Sequence, residues 1–377
     1  MKTIQLIIAI LLFPLSIWYS VGVAIRNQHY NRRDRKKQKL TTVNCQLPTI
    51  GIGNLRMGGT GKTPHTEYLI RLLQSPDFNS KLSTSNFQFS ILSVALLSRG
   101  YGRKSKGFLL ADGSSTAREV GDEPLMMHRK FPGITVAVCE DRAEGLRQLR
   151  NSQFTKHNSQ NVVLLDDCYQ HRSVTPDINI LLTEYSDLYC DDHILPFGNL
   201  REFRSGSRRA DIIVVTKCPP FLSTKKQEHI LQRLKPTASQ IVFFSYITYS
   251  DPIPLLNPDS KLEIQNSKLL LVSGIANPAP LKRHLERHST VSHLEFPDHH
   301  KFTLLDCELI LKRFRSIKSG NKAIVTTEKD AMRLVDSKFT HLFNDIPFFY
   351  IPIEVKFFNQ NDFDATILNF FHNFANS

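Results

Sequence analysis

From about residue 46 the chain alternates short apolar runs with stretches of helical character, the pattern of βαβ units on a mostly parallel sheet. The apolar runs predict strands at Thr49–Gly53, Ile91–Leu97, Ile134–Val138, Val162–Leu165, Ile178–Leu182 and Ile212–Val215. A second set follows at Ile241–Ile247, Leu269–Val272, Val291–Phe296, Ala323–Thr326 and Phe348–Val355. Helices are predicted at Pro64–Leu73, Arg142–Leu149, Lys225–Leu234, Pro280–Arg287, Leu304–Phe314 and Lys329–Val335. The Ser/Asn-rich stretch Ser75–Asn86 reads as a surface loop, and Asp251–Ser260 as an inter-strand loop or linker. No internal repeat is visible. A boundary is expected between Cys218 and Lys226, where Pro219-Pro220 breaks the pattern. It divides the chain into a helix and basic flank over residues 1–40, a first α/β domain over 41–220 and a second over 221–377, whose C-terminal segment is free to pack back on the first.

Ahead of this pattern, Ile4 to Ile25 is almost wholly apolar, with Pro14 in its middle. That run approaches the ~20 residues a helix needs to span a bilayer. Two readings fit it equally: a transmembrane anchor with Lys and Arg on the cytoplasmic side, or an interfacial helix held by Trp18, Tyr19 and the cationic run. A cleaved signal peptide fits poorly, because six scattered cysteines without CxxC or Cys/His spacing suggest reduced thiols rather than a disulfide frame or zinc site.

Charge sharpens this picture. The chain has 377 residues, enough for about two domains of roughly 150 each. It carries 48 Lys+Arg against 35 Asp+Glu, a net +13 that points to an anionic partner: nucleic acid, a membrane surface or a phosphorylated substrate. Residues 1–40 hold eight basic residues against Asp34 alone, so +7 of the +13 flanks the apolar run and +6 is left for the rest. No groove-reading motif appears, and nucleic acid is not needed to explain the charge. No obligate protein partner is expected.

The most informative segment is Gly53-Asn54-Leu55-Arg56-Met57-Gly58-Gly59-Thr60-Gly61-Lys62-Thr63, between a predicted strand and a helix that opens near Pro64. Glycines let backbone N–H groups fold around phosphate oxygens, and the helix N-terminus adds its positive dipole end. Lys62 can reach the β- and γ-phosphates, and Thr63 offers a hydroxyl to Mg²⁺. Arg56, Met57, Gly58, Gly59, Thr60, Gly61, Lys62 and Thr63 are the expected nucleotide-binding residues, although Arg56 stands where a strict Walker A pattern has glycine. The usual companion is an apolar strand ending in a carboxylate, which Val162–Leu165 followed by Asp166-Asp167 supplies. Thr216-Lys217-Cys218-Pro219 resembles a guanine-reading element, but Pro219 replaces its aspartate, so ATP is the better assignment.

Several clusters lie outside a generic nucleotide site. Ser98–Gly107 joins Arg99, Arg103, Lys104 and Lys106 to glycines and Tyr101, as in a loop that meets phosphate or a sugar, or in a solvated basic loop. Val120-Gly121-Asp122-Glu123-Pro124 places carboxylates at a helix start, where they could simply cap it. Gln170-His171-Arg172 follows the carboxylate pair, where sheets of this class put ligands. Gly198–Glu202 presents a guanidinium and a carboxylate in one turn, and Phe296-Pro297-Asp298-His299-His300 ends a strand of the second set.

Taken together, GNLRMGGTGKTP, SRGYGRKSKG, VGDEP, EDR at Glu140–Arg142, LDDCYQHR, FGNLRE, FPDHH and TTEKD are similar, in order, to the motifs of the tetraacyldisaccharide 4'-kinase family, the lipid A 4'-kinases of Gram-negative bacteria. The resemblance runs from the apolar N-terminal segment to about residue 335. It implies a P-loop NTPase-like α/β fold with a second, smaller α/β domain and a membrane-associated helix, acting at the cytoplasmic face of the inner membrane. The implied reaction moves the γ-phosphate of ATP, with Mg²⁺, to the 4'-hydroxyl of a tetraacyl disaccharide 1-phosphate, a lipid A precursor, giving lipid IVA.

The resemblance also assigns roles. Its catalytic Asp/His pair falls on Asp122 and His299. Its magnesium-associated carboxylates fall on Asp166, Asp167 and Glu202, beside Thr63. Its headgroup and phosphate contacts fall on Tyr101, Arg142, Gln170, His171, Asn199 and Arg201. Cys168 is a departure, since many members of the family carry glycine or alanine there. An alternative reading is a membrane-tethered P-loop ATPase that switches a protein partner, but it gives no reason for FPDHH or GNLRE.

Overall fold

A computed structural model describes residues 2–37, 47–82, 92–152, 161–298, 300–335 and 339–375. The elements, in order, are α1 (Lys2–Lys37), β1 (Thr49–Asn54), α2 (Lys62–Gln74), α3 (Pro76–Leu82), β2 (Ser93–Ser98), β3 (Leu109–Leu110), α4 (Ala117–Val120), α5 (Asp122–Lys130), β4 (Thr135–Val138), α6 (Arg142–Asn151), β5 (Asn161–Asp166), β6 (Ile178–Glu184), β7 (Ile212–Thr216), α7 (Thr224–Leu234) and β8 (Ile241–Tyr249). There follow β9 (Ile253–Pro254), β10 (Lys268–Ser273), α8 (Ala279–Leu285), β11 (Thr290–Glu295), α9 (Leu304–Ser316), β12 (Lys322–Thr327), α10 (Glu328–Val335) and β13 (Phe348–Ile351), then β14 (Ile353–Phe357) and α11 (Gln360–Ala375).

The chain forms two compact units, Met1–Tyr246 with Val355–Ser377, and Ile247–Glu354. The division therefore falls after Tyr246, not at Pro219-Pro220. Those prolines only close the β7–α7 connection, while β7 and β8 pair side by side in one parallel sheet.

In the first unit the described strands make a nine-stranded sheet, ordered β14-β8-β7-β6-β1-β5-β2-β4-β3. β1 sits inside it, parallel to β5 on one side and β6 on the other. Its residues Ile50 and Ile52, like Val163–Leu165 of β5 and Ile213–Val215 of β7, have essentially no exposure. Such unbroken apolar runs are what a parallel sheet covered on both faces requires. The parallel direction gathers the carboxyl ends of β1, β2, β5, β6 and β7 along one edge, where α/β sheets bind ligands.

The second unit holds a five-stranded sheet, β11-β10-β12-β13-β9, parallel except for the β13–β9 pair. Alternation along its central strands sends Leu270, Val272 and Ile324 into one core and Leu269, Leu271, Ala323 and Val325 into another.

Three local expectations are corrected. Ser75–Asn86 is not all loop: α3 occupies Pro76–Leu82 and buries Phe78 and Leu82, an i, i+4 apolar pair that the polar composition conceals. Ser75 starts it by accepting a hydrogen bond at its hydroxyl from the Phe78 amide at 3.2 Å. The run Phe348–Val355 is two strands, because Pro352 has no N–H to continue a ladder; β13 belongs to the second sheet and β14 to the first. Within Asp251–Ser260, Ile253–Pro254 forms a short strand. Ile91 lies outside the described residues, and its strand runs from Ser93 to Ser98. α5 begins at Asp122, where the Val120–Pro124 motif placed a helix start, whereas helices α4 and α11 were not anticipated.

The N-terminal run is one helix through Lys37 with Pro14 inside it. Among the described residues no helix is long and apolar enough to cross a membrane. Ser16 and Val23 are buried, whereas Trp18 is 77% exposed and Leu15, Ile17, Val21 and Ile25 are also exposed. The buried side is tied down: the Ser16 hydroxyl accepts from the Phe197 amide at 2.8 Å, and the Tyr19 hydroxyl donates to the Arg201 carbonyl at 3.0 Å.

Candidate active site

β1 delivers the glycine-rich loop through a point of very close packing. A Cβ on Gly53 would lie 2.6 Å from Tyr169 Cβ, so only glycine lets the strand end meet the chain after β5. A Cβ on Gly51 would likewise lie 2.8 Å from Cys168 Sγ, which shows where the extra volume of Cys168 is taken up. Gly58 and Gly61 have φ of 106° and 90°, the left-handed region that suits glycine. α2 begins directly after Gly61, so Lys62 and Thr63 are its first two residues.

The loop is braced from the side by the Gly198–Glu202 turn. The Met57 amide donates to the Asn199 carbonyl and the Arg201 amide to the Leu55 carbonyl, each at 2.8 Å. This ladder sets the phosphate loop beside Asn199 and Arg201. Arg56 does not face into the loop: its Nε lies 2.6 Å from Asp192 Oδ2 and its Nη1 2.9 Å from Asp187 Oδ2, so this guanidinium anchors the loop from outside. Met57, Gly58 and Gly59 are exposed along the rim.

The carboxylate pair follows β5. Asp167 has φ of 44°, unusual for a residue with a side chain, and this conformation lets the pair point differently. Lys62 Nζ lies 3.6 Å from Asp167 Oδ1, and Arg201 Nη1 lies 3.4 Å from both Asp167 oxygens. Burial alone would raise the Asp167 carboxyl, but Lys62 and Arg201 outweigh it and hold the group below its ordinary range. Asp166 behaves oppositely. Burial, then Glu123 and Asp167, push it up to about 6. Ser98 Oγ donates to Asp166 at 3.4 Å, and Thr63 Oγ1 donates to Glu123 at 3.3 Å.

Asp166, Asp167, Glu123 and the Thr63 hydroxyl thus cluster at the start of α2. Among the described residues no group of three or more His, Cys, Asp or Glu side chains is placed to hold a metal ion by itself. Mg²⁺ needs no such cage: it commonly takes one or two carboxylates and completes its shell with water and phosphate oxygens. A part-buried carboxylate beside two others is a suitable donor for it.

Glu202 lies apart from this pair. It is fully buried, and Arg209 Nη2 donates to both its oxygens at 2.8 and 2.9 Å. Gln170 Nε2 donates to Glu202 at 3.2 Å and to the Asn54 carbonyl at 2.7 Å, while its Oε1 accepts from Arg201 at 3.3 Å. Glu202 therefore orients Gln170, and through it Arg201.

Arg142 is likewise fully buried. It donates to the carbonyls of Cys139 at 2.6 Å and Asp166 at 3.1 Å, tying the ends of β4 and β5 together rather than facing solvent. His171 is half-buried, and burial together with Arg142 and Arg99 lowers its pKa to about 4. Asn199 is exposed and Tyr101 is 87% exposed. Asp122 is exposed in the first turn of α5, after Gly121, whose φ is 94°. His299 lies outside the described residues; its neighbour His300 bonds Asp306 Oδ2 through Nε2 at 2.9 Å within the second unit.

Residue patterns alone missed four supports. Asn54, with no exposure, donates to the Thr60 hydroxyl at 2.8 Å and the Gly58 carbonyl at 3.4 Å. Thr216 donates to the Thr60 carbonyl at 2.8 Å, giving Thr216-Lys217 a use that needs no guanine. Glu123 and His65 complete the set. Glu123 was visible in VGDEP, but His65 offered no signal beyond its place after Pro64.

Comparison with known proteins gives the family. Residues 8–372 match the family model described as Tetraacyldisaccharide-1-P 4'-kinase. The tetraacyldisaccharide 4'-kinase of Flavobacterium johnsoniae is 43% identical over 364 residues, covering 96% of each chain. That of Phocaeicola vulgatus is 41% identical over 369 residues, covering 95% of this chain and 94% of the other. The fold is shared with LpxK from Aquifex aeolicus, in a crystal structure described as an "apo" form in complex with ATP, at a TM-score of 0.68 and 24% identity, covering 97% of this chain and 99% of that one. The chain belongs to the tetraacyldisaccharide 4'-kinase family.

Proposed function

We propose that the chain carries out its family's reaction, moving the γ-phosphoryl group of ATP to the 4'-hydroxyl of a tetraacyl disaccharide 1-phosphate and giving lipid IVA for lipid A biosynthesis. The observation that carries this reading is the main-chain ladder that holds Asn199 and Arg201 against a P-loop whose lysine lies beside Asp167. Phosphoryl transfer needs positioning and charge neutralisation more than covalent help. Lys62 and the amides from Gly58 to Thr63 hold the phosphates. Mg²⁺ held at Thr63, Asp166 and Asp167 supplies charge neutralisation on the transferring group. Asp122 accepts the hydroxyl proton; the part given to His299 rests on the family resemblance alone. Arg201, Asn199, Gln170, His171 and Tyr101 face the acceptor headgroup, with Glu202 and Arg142 behind them.

In this reading the exposed Trp18, Val21 and Ile25, at i, i+3 and i+7 of α1, lie against the cytoplasmic leaflet of the inner membrane, and the basic run meets its anionic headgroups. The relatives give no support to the protein-switch alternative, because each is named as a disaccharide kinase. Incubation with labelled ATP, Mg²⁺ and a tetraacyl disaccharide 1-phosphate should yield labelled lipid. Folded protein that yields none would overturn the assignment.

A further inference from the structure

His65 is 4% exposed, one turn into α2, and plays no part in the chemistry above. Its Nδ1 lies 2.7 Å from the Gly61 carbonyl and its Nε2 2.9 Å from the Ser245 hydroxyl of β8. A carbonyl oxygen can only accept, so Nδ1 carries the proton and Ser245 donates to Nε2. The Gly61 carbonyl also accepts from the His65 amide at 3.2 Å, so one residue holds this oxygen twice.

The peptide bond gives this grip its consequence. A trans peptide is planar, with its C=O and N–H pointing in opposite directions. Holding the Gly61 carbonyl down along the helix turns the Lys62 N–H the other way, out of the N-terminus of α2. Thr216 does the same one peptide earlier, since its hold on the Thr60 carbonyl fixes the Gly61 N–H. At the left-handed Gly61, where the absence of Cβ leaves the backbone many alternatives, such external holds are what select one orientation.

We propose that His65, set by Ser245 and seconded by Thr216, is a positioning residue that aims the Gly61 and Lys62 amides at the phosphates of the bound nucleotide. The inference rests on the reading of the glycine-rich loop as the ATP site. The grip holds consecutive peptide planes in the arrangement an anion-binding nest needs, so nucleotide binding costs less reordering.

The test measures ATP affinity by titration calorimetry, together with kcat and the KM for both substrates, in wild type, His65→Leu, His65→Asn and Thr216→Val. An asparagine amide can replace the Nδ1 donor, whereas leucine cannot. Loss of an aimed hydrogen bond to a charged ligand should weaken ATP binding about tenfold in His65→Leu. The KM for the lipid acceptor should stay unchanged, and His65→Asn should recover most of the affinity. Thr216→Val should weaken ATP binding in the same direction. If His65→Leu does not fold, His65→Asn against Ser245→Ala decides: the first should bind ATP nearly as wild type, the second more weakly. ATP affinity equal to wild type in folded His65→Leu, or in Ser245→Ala and Thr216→Val where it does not fold, overturns the inference. Wild-type protein that binds no ATP overturns the underlying reading instead.

Discussion

Lys62 and Asp167 are joined across the glycine-rich loop, Nζ to Oδ1 at 3.6 Å, so the first residue of α2 helps hold the carboxylate after β5 below its ordinary range. Lys62→Ala should lower kcat by about 10²–10³, the usual effect of losing one group that stabilises transition-state charge. Asp167, deprived of its first counter-charge, should titrate higher than in wild type, as NMR can follow. Near-normal turnover would remove Lys62 from the chemistry.

Gly53, near the end of β1, and Gly59, in the loop that follows, differ in what surrounds them. A methyl on Gly53 meets Tyr169, whereas one on Gly59 meets nothing within 4 Å. Gly53→Ala should destabilise by about 1–3 kcal/mol, the cost of forcing volume into a packed site. Gly59→Ala should leave the melting temperature close to wild type. Equal melting temperatures for the two variants would contradict the close approach.

Glu202→Gln removes the negative charge facing Arg209 but keeps an acceptor for Gln170. Leaving Arg209 without its buried partner should cost about 1–3 kcal/mol. If Glu202 acts by orienting Gln170 and Arg201, the KM for the lipid acceptor rises and the need for Mg²⁺ does not change. A raised Mg²⁺ requirement would return Glu202 to the metal site.

His171 gives the stability a slope on the acid side. Its folded pKa of about 4 lies below the ordinary 6.5, through burial first and then Arg142 and Arg99. The unfolded chain therefore binds the extra proton, and this contribution is present above pH 6.5 and lost as pH falls toward 4. His171→Asn should flatten the melting temperature against pH in that window. An unchanged slope would show that His171 titrates normally.

Asp122→Ala and His299→Ala should each lower turnover by orders of magnitude with a modest change in ATP affinity, as expected for a base and its partner. Either variant turning over at the wild-type rate would break the pairing.

The linear chain was enough to specify the parallel α/β architecture, because unbroken apolar runs such as Val162–Leu165 suit only strands covered on both faces. It also placed the glycine-rich loop and the Asp166-Asp167 pair, since their chemistry lies in residues close together in sequence. Tertiary structure alone decided the rest. Arg142 and Glu202 are charged and look ready for a ligand in sequence, yet both are fully buried and hold neighbours in place. Arg56 points away from the loop it belongs to, toward Asp187 and Asp192. His65, which no motif singled out, and Thr216, whose motif pointed to a base rather than to the loop, brace that loop. Pro352 marks where one apolar run crosses from one sheet to the other. Local pattern records what a segment must bury, whereas the partner of a buried polar group is set by contacts more than a hundred residues away, such as His65 with Ser245.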